Sequence, residues 1–120
     1  MNIVKFITLL SSPSKKSKQT KCIRDCNNLL EELEKLISAW SDHPSELTDE
    51  VKNTILDCYG YTKLMVDFYE RNSYFSKSIC ELGKLILERC IAICEGNVEL
   101  AKVIQLCRTC INNCISTLWG

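Results

Sequence analysis

The stretch CELGKLILERCIAICEGNVELAKVIQLCRTCINNC, from Cys80 to Cys114, decides how the chain is read. Cys80, Gly83, Leu87, Cys90 and Cys94 are spaced 3, 4, 3, 4, the interval that keeps side chains on one seam of a bundled helix. After Glu95-Gly96-Asn97, a turn with Gly96 at the helix end, Leu100, Val103, Cys107, Cys110 and Cys114 repeat the alternation and form a second seam. Cysteine does bury as a small hydrophobe. Nine of them in 120 residues, gathered at seam spacing, exceed what core filling needs, and the thiols read as placed.

Two segments upstream carry the same period. From about Lys18 to Trp40, the positions Cys22, Cys26, Leu29, Leu33, Leu36 and Trp40 run 4, 3, 4, 3, 4, with Glu31, Glu32, Glu34 and Lys35 mostly on the other face. Pro44 ends this helix and biases His43 toward extended backbone. A second helix is expected to start near Ser45, with Glu46, Asp49 and Glu50 in or near its first turn. Its inner stripe is Val51, Ile55, Cys58, Thr62, Met65 and Phe68 or Tyr69, with Gly60 a weak point. Asn72-Ser73 breaks the pattern, and Ser73 or Ser76 can cap the third helix. The expected helices are 18–40, 46–71, 76–95 and 97–118, one domain over 18–120 behind a flexible N-terminal arm of residues 1–17. Their short connections favour an all-α, antiparallel up-down-up-down four-helix bundle.

That topology gives a register. Cys22, Cys26, Cys80, Cys110 and Cys114 are expected to meet at one end, Cys58 and Cys107 near the middle, and Cys90 and Cys94 at the opposite end.

Composition narrows the function. Lys plus Arg equals Asp plus Glu at 15 each, so no charge excess argues for nucleic acid or an anionic membrane. Thiols at i and i+4 on one helix project in parallel and suit a disulfide poorly. With an odd cysteine count in a helical chain, this points to reduced thiols and a cytoplasmic location. The opening Met1–Leu10 lacks the features of a usual export signal, and no segment approaches a membrane span. An enzyme is not expected. His43 is the single histidine, reads as a solvent-exposed loop residue, and pairs with no nucleophile. Tyr59, Tyr61, Tyr69, Tyr74, Phe68 and Phe75 cluster on and after the second helix and read chiefly as packing, with a self-association or protein-partner surface as the other use. Met65 reads as core.

The residues resemble a known family, the cysteine-rich four-helix-bundle copper proteins, namely the copper storage proteins and their relatives. Cys22-x-x-x-Cys26, Cys80 through Cys90-x-x-x-Cys94, and Cys107-x-x-Cys110-x-x-x-Cys114 stand in matching places. Leu56-Asp57-Cys58, Asp67-Phe68 and the turn Arg71-Asn72-Ser73 before Cys80 are also similar in spacing. The resemblance runs from about Lys21 to Leu118 and implies Cu(I) binding and storage. Where a fully loaded member is expected to carry cysteine, this chain has Leu29, Leu33, Thr62, Gly83, Leu87 and Val103, so the thiol channel is interrupted and the capacity lowered.

The thiol chemistry agrees. Thiolate is a soft ligand that selects Cu(I) or zinc over hard cations, and an i, i+4 pair offers two sulfurs to a low-coordinate Cu(I). Candidate metal ligands are therefore Cys22, Cys26, Cys58, Cys80, Cys90, Cys94, Cys107, Cys110 and Cys114. Zinc is the weaker candidate, since structural zinc sites take C-x-x-C pairs from turns whereas Cys107 and Cys110 fall mid-helix. Iron–sulfur and thioredoxin-type redox uses are weaker still. The competing class is a bundle that kept the scaffold, fills it with structural cysteines and binds a protein partner in the manner of an immunity protein.

Overall fold

The computed structural model describes residues 13–43 and 45–115, with side chains from Thr20 to Cys114. Among the described residues four α-helices make the fold: α1 (Pro13–Asp42), α2 (Asp49–Glu70), α3 (Ser76–Cys94) and α4 (Ala101–Cys110). A 3-10 turn, Val98–Leu100, leads into α4, and a π-helical turn, Ile111–Ile115, continues it. No strand occurs among the described residues. Of the expected arm, residues 1–12 lie outside the described residues, as do residues 116–120. Helix α1 is described from Pro13, ahead of the expected Lys18.

The start of α2 differs from expectation. Thr48, not Ser45, is its N-cap, accepting the Val51 N–H at 3.2 Å. Leu47 is buried at 7% exposure, which holds the chain extended up to Thr48, and Ser45 Oγ instead accepts the Leu47 N–H at 3.1 Å. Asp49 and Glu50 then face the positive end of the helix dipole. At the other end, Asn72 takes a positive φ of 52°. The N–H groups of Ser73 and Asn72 reach back to the carbonyls of Phe68 at 3.0 Å and Tyr69 at 3.2 Å, the double closure of a Schellman turn. Gly96, with φ 88°, makes the left-handed turn after α3.

Cross-helix pairs fix the directions. Between α1 and α2, Glu34 accepts from Tyr59 at 3.0 Å while Lys52 lies over the Trp40 ring at 5.8 Å; later residues of α1 meet earlier residues of α2, so the two run antiparallel. Between α2 and α3, Ser76 donates to the Phe68 carbonyl at 3.3 Å and Arg89 meets Glu50 at 3.9 Å. Between α1 and the α4 segment, Asn113 donates to Asp25 at 3.3 Å and Lys102 pairs with Glu32 at 3.3 Å. Both pairs of elements therefore run antiparallel too, which leaves α3 and α4 antiparallel in an up-down-up-down bundle.

The seams of the sequence are the core of the structure. On α3, Cys80, Gly83, Leu87, Cys90 and Cys94 are all buried, and so are Leu100, Val103, Cys107, Cys110 and Cys114 in the last segment. Cys22, Cys26, Leu29 and Leu33 line α1 at 0% exposure, with Leu36 and Trp40 packed more loosely against them. The α2 seam turns Val51, Ile55, Cys58, Thr62, Met65 and Tyr69 inward, and Phe68 stays half-buried.

Candidate metal centre

All nine cysteines are free and buried. Six of them form two compact groups, Cys22–Cys26–Cys114 and Cys58–Cys90–Cys107, in each of which the sulfurs lie within 4.8 Å of one another. No histidine or carboxylate joins either group among the described residues.

The first group forms where α1 begins and the chain's last described turn ends. Cys26 and Cys114 bring their sulfurs to 4.0 Å, and the Cys114 thiol donates to the Cys22 carbonyl at 3.2 Å. Cys110 completes this end, hydrogen-bonded to Cys114 and Cys26. The π-helical turn carries Cys114; its wider winding re-aims the last thiol relative to a regular helix. Asp25, only 9% exposed, anchors the same turn to α1 through Asn113. Neither Asp25 nor Asn113 is on a seam, so the apolar period gave no signal for them.

Cys80 is at this end, as the register implied, but outside the compact group. It sits against the Tyr69 hydroxyl, because a helical side chain leans toward its own N-terminus and so carries the Cys80 thiol toward the end of α2.

The second group corrects the register. Residue count alone sets Cys90 with Cys94 at the far end, apart from Cys58 and Cys107, yet its sulfur joins theirs. The same lean explains it: α3 runs opposite to α2 and α4, so Cys90 tilts toward the middle while Cys58 and Cys107 tilt to meet it. Cys94 stays attached through Cys90, sulfur to sulfur at 3.9 Å.

The thiols of each group shift one another's acidity through their mutual hydrogen bonds. Cys114 is held well below the ordinary thiol range because Cys110, then Cys22 and Cys26, donate S–H bonds to it. Cys58 is lowered to about 5 by Cys107 and then Cys90. Their neighbours move the other way. Cys22 and Cys110 are raised chiefly by their bonds to Cys114, Cys26 by Cys110, Cys107 by Cys58 and Cys94 by Cys90, each with burial adding to it. Burial raises Cys80 to about 11. Deprotonating thiols in this dry core needs a cation to balance the charge.

The other residues singled out in the sequence divide, with Tyr74 and Phe75 departing from the expected packing role. His43 is exposed. Met65 is buried, its sulfur 3.6 Å from the Tyr61 hydroxyl oxygen. Tyr61 and Tyr69 are core residues, whereas Tyr74 and Phe75 stand exposed and edge-on to each other. No helix among the described residues is long and apolar enough to cross a membrane.

The bundle is lined with buried free thiols, six of them in two groups whose soft ligands suit a metal ion. The family model for the copper storage proteins, Csp, matches residues 15–118, and the chain belongs to that family, which is one of copper storage and not of enzymes. No curated protein and no solved structure matches the chain significantly.

Proposed function

We propose that the protein holds copper as Cu(I) on the thiolates of Cys22, Cys26, Cys58, Cys80, Cys90, Cys94, Cys107, Cys110 and Cys114, as a store or sequestering sink in a reducing compartment such as the cytosol. The observation that carries this is the pair of buried all-sulfur groups. Soft thiolates favour Cu(I), and each thiol that binds it gives up its proton as the S–Cu bond forms. Cys58, Cys90 and Cys107 offer three sulfurs in mutual reach, a count that suits low-coordinate Cu(I). Loading begins at the end that holds Cys22, Cys26, Cys110 and Cys114, with Cys80 beside them, where the thiols are densest.

The test is anaerobic dialysis of the reduced protein against equal Cu(I) and Zn(II), followed by metal analysis of the desalted protein. Copper retained with little zinc supports the reading. Zinc retained in comparable amount removes the Cu(I) assignment.

A further inference from the structure

Gly83 occupies an α3 seam position between Cys80 and Leu87, and the space its missing side chain leaves is taken by another helix. A Cβ built there falls 2.6 Å from the ring carbons Cε1 and Cζ of Tyr61, closer than atoms pack. The Tyr61 ring is therefore seated in the Gly83 notch. It is fixed there by its hydroxyl, which donates to the Ile79 carbonyl and touches Met65 Sδ. Because α2 and α3 run antiparallel, this contact lies past Cys80 along α3 and short of Cys90.

Two other core positions next to the thiols carry no sulfur. From α1 comes Leu29, between Cys26 and Leu33, and from α2 comes Thr62, both at 0% exposure. Thr62 spends its hydroxyl on the Cys58 carbonyl at 2.7 Å. Two segments carry sulfur on both sides, α3 at Cys80 and Cys90 and the α4 segment at Cys107 and Cys110; Cys90, Cys107 and Cys110 are each engaged within their own group, and Cys80 sits against the Tyr69 hydroxyl.

We infer that Tyr61, seated against Gly83, divides the thiol-lined core into two compartments that load copper independently, one built on Cys22, Cys26, Cys110 and Cys114, the other on Cys58, Cys90, Cys107 and Cys94. The inference rests on the copper reading above and adds to it. A store with an unbroken sulfur lining lets ions share thiolates from end to end. In the divided core, occupancy of one compartment leaves the affinity of the other unchanged.

Anaerobic Cu(I) titration against a competing chelator tests this on four proteins: the natural chain, Cys22→Ser/Cys26→Ser/Cys114→Ser, Cys58→Ser/Cys90→Ser/Cys107→Ser, and Tyr61→Ser/Gly83→Cys. The first triple variant should keep the ions of the inner compartment at unchanged affinity, and the second those of the end compartment, because separate sites act additively. The Tyr61→Ser/Gly83→Cys protein opens the divider and adds a seam thiol, so it should take up about one further ion with thiolates shared across the former boundary. Circular dichroism confirms helix content throughout. Should a triple variant lose its helices, the single variants Cys22→Ser and Cys58→Ser make the same comparison. A loss of about tenfold or more in the affinity of the untouched group overturns the division. So does a folded Tyr61→Ser/Gly83→Cys protein with no gain in capacity. A natural chain that binds no Cu(I) overturns the copper reading itself, whereas one that binds it as a single interdependent set overturns only the division.

Discussion

Gly83→Ala sets helix propensity against packing. In an open helix interior, replacing glycine by alanine stabilises by about 1 kcal/mol. At Gly83 the new methyl lands 2.6 Å from two Tyr61 ring carbons. Overpacking of that kind costs about 1–3 kcal/mol, and swinging the ring aside also breaks the bond from its hydroxyl to the Ile79 carbonyl, worth about 1 kcal/mol. The balance is a net loss of about 1–3 kcal/mol, which at a urea slope near 2 kcal/mol/M lowers the unfolding midpoint by about 0.5–1.5 M. Gly60 supplies the control. It is helical too, but a Cβ there meets nothing within 4 Å, so Gly60→Ala should raise the midpoint, by about 0.5–1 kcal/mol of added stability. Urea unfolding followed by circular dichroism on the reduced apo protein reads both. If Gly83→Ala raises the midpoint as Gly60→Ala does, the ring does not occupy the notch, and the physical basis for a divided core disappears with it.

Three further outcomes follow from the fold and the thiol groups. Thr48→Ala removes the acceptor of the Val51 N–H and should cost about 1 kcal/mol in urea unfolding; a greater loss from Ser45→Ala would place the cap at the position first expected from sequence. Copper loading should raise the melting temperature reversibly, since a ligand held at about 100 times its Kd adds about 2.7 kcal/mol to the folded state. Identical melting with and without copper would mean that the folded bundle does not hold it. Replacing Cys22 and Cys26 by Ser should lower copper capacity more than replacing Cys58 alone, because a whole i, i+4 pair leaves the end group. The helices should survive, as Leu29, Leu33, Leu36 and Trp40 still fill that seam, and equal losses from the two variants would contradict the end group's larger share.

The seams were legible because burial follows a local period. Every 3/4 position from Cys80 to Cys114 points inward, and the antiparallel order that this implied brings Cys22 and Cys26 to Cys114 as expected. What escaped the sequence depends on contacts between segments. Cys90 meets Cys58 and Cys107 because side chains on opposed helices lean toward each other, a displacement that levelling the backbone by residue count does not contain. Tyr61 turns inward next to Thr62 because Gly83, on another helix, leaves room for its ring. Asp25 is buried because the π-helical turn presents Asn113 to it. The sequence favours Ser45 as the cap, but Thr48 is as competent an acceptor, and the structure caps α2 there, with Thr48 accepting the Val51 N–H and Ser45 the Leu47 N–H.

The measurement that bears most directly on the function is anaerobic titration of the reduced protein with Cu(I) in the presence of a competing chelator. Nine thiols taken two to an ion without sharing set the load at roughly four or five Cu(I), drawn from the chelator and filling the end of Cys22, Cys26, Cys110 and Cys114 first. A reduced, folded protein that cannot compete with even a weak chelator would contradict this and leave the cysteines as core residues of a binding protein.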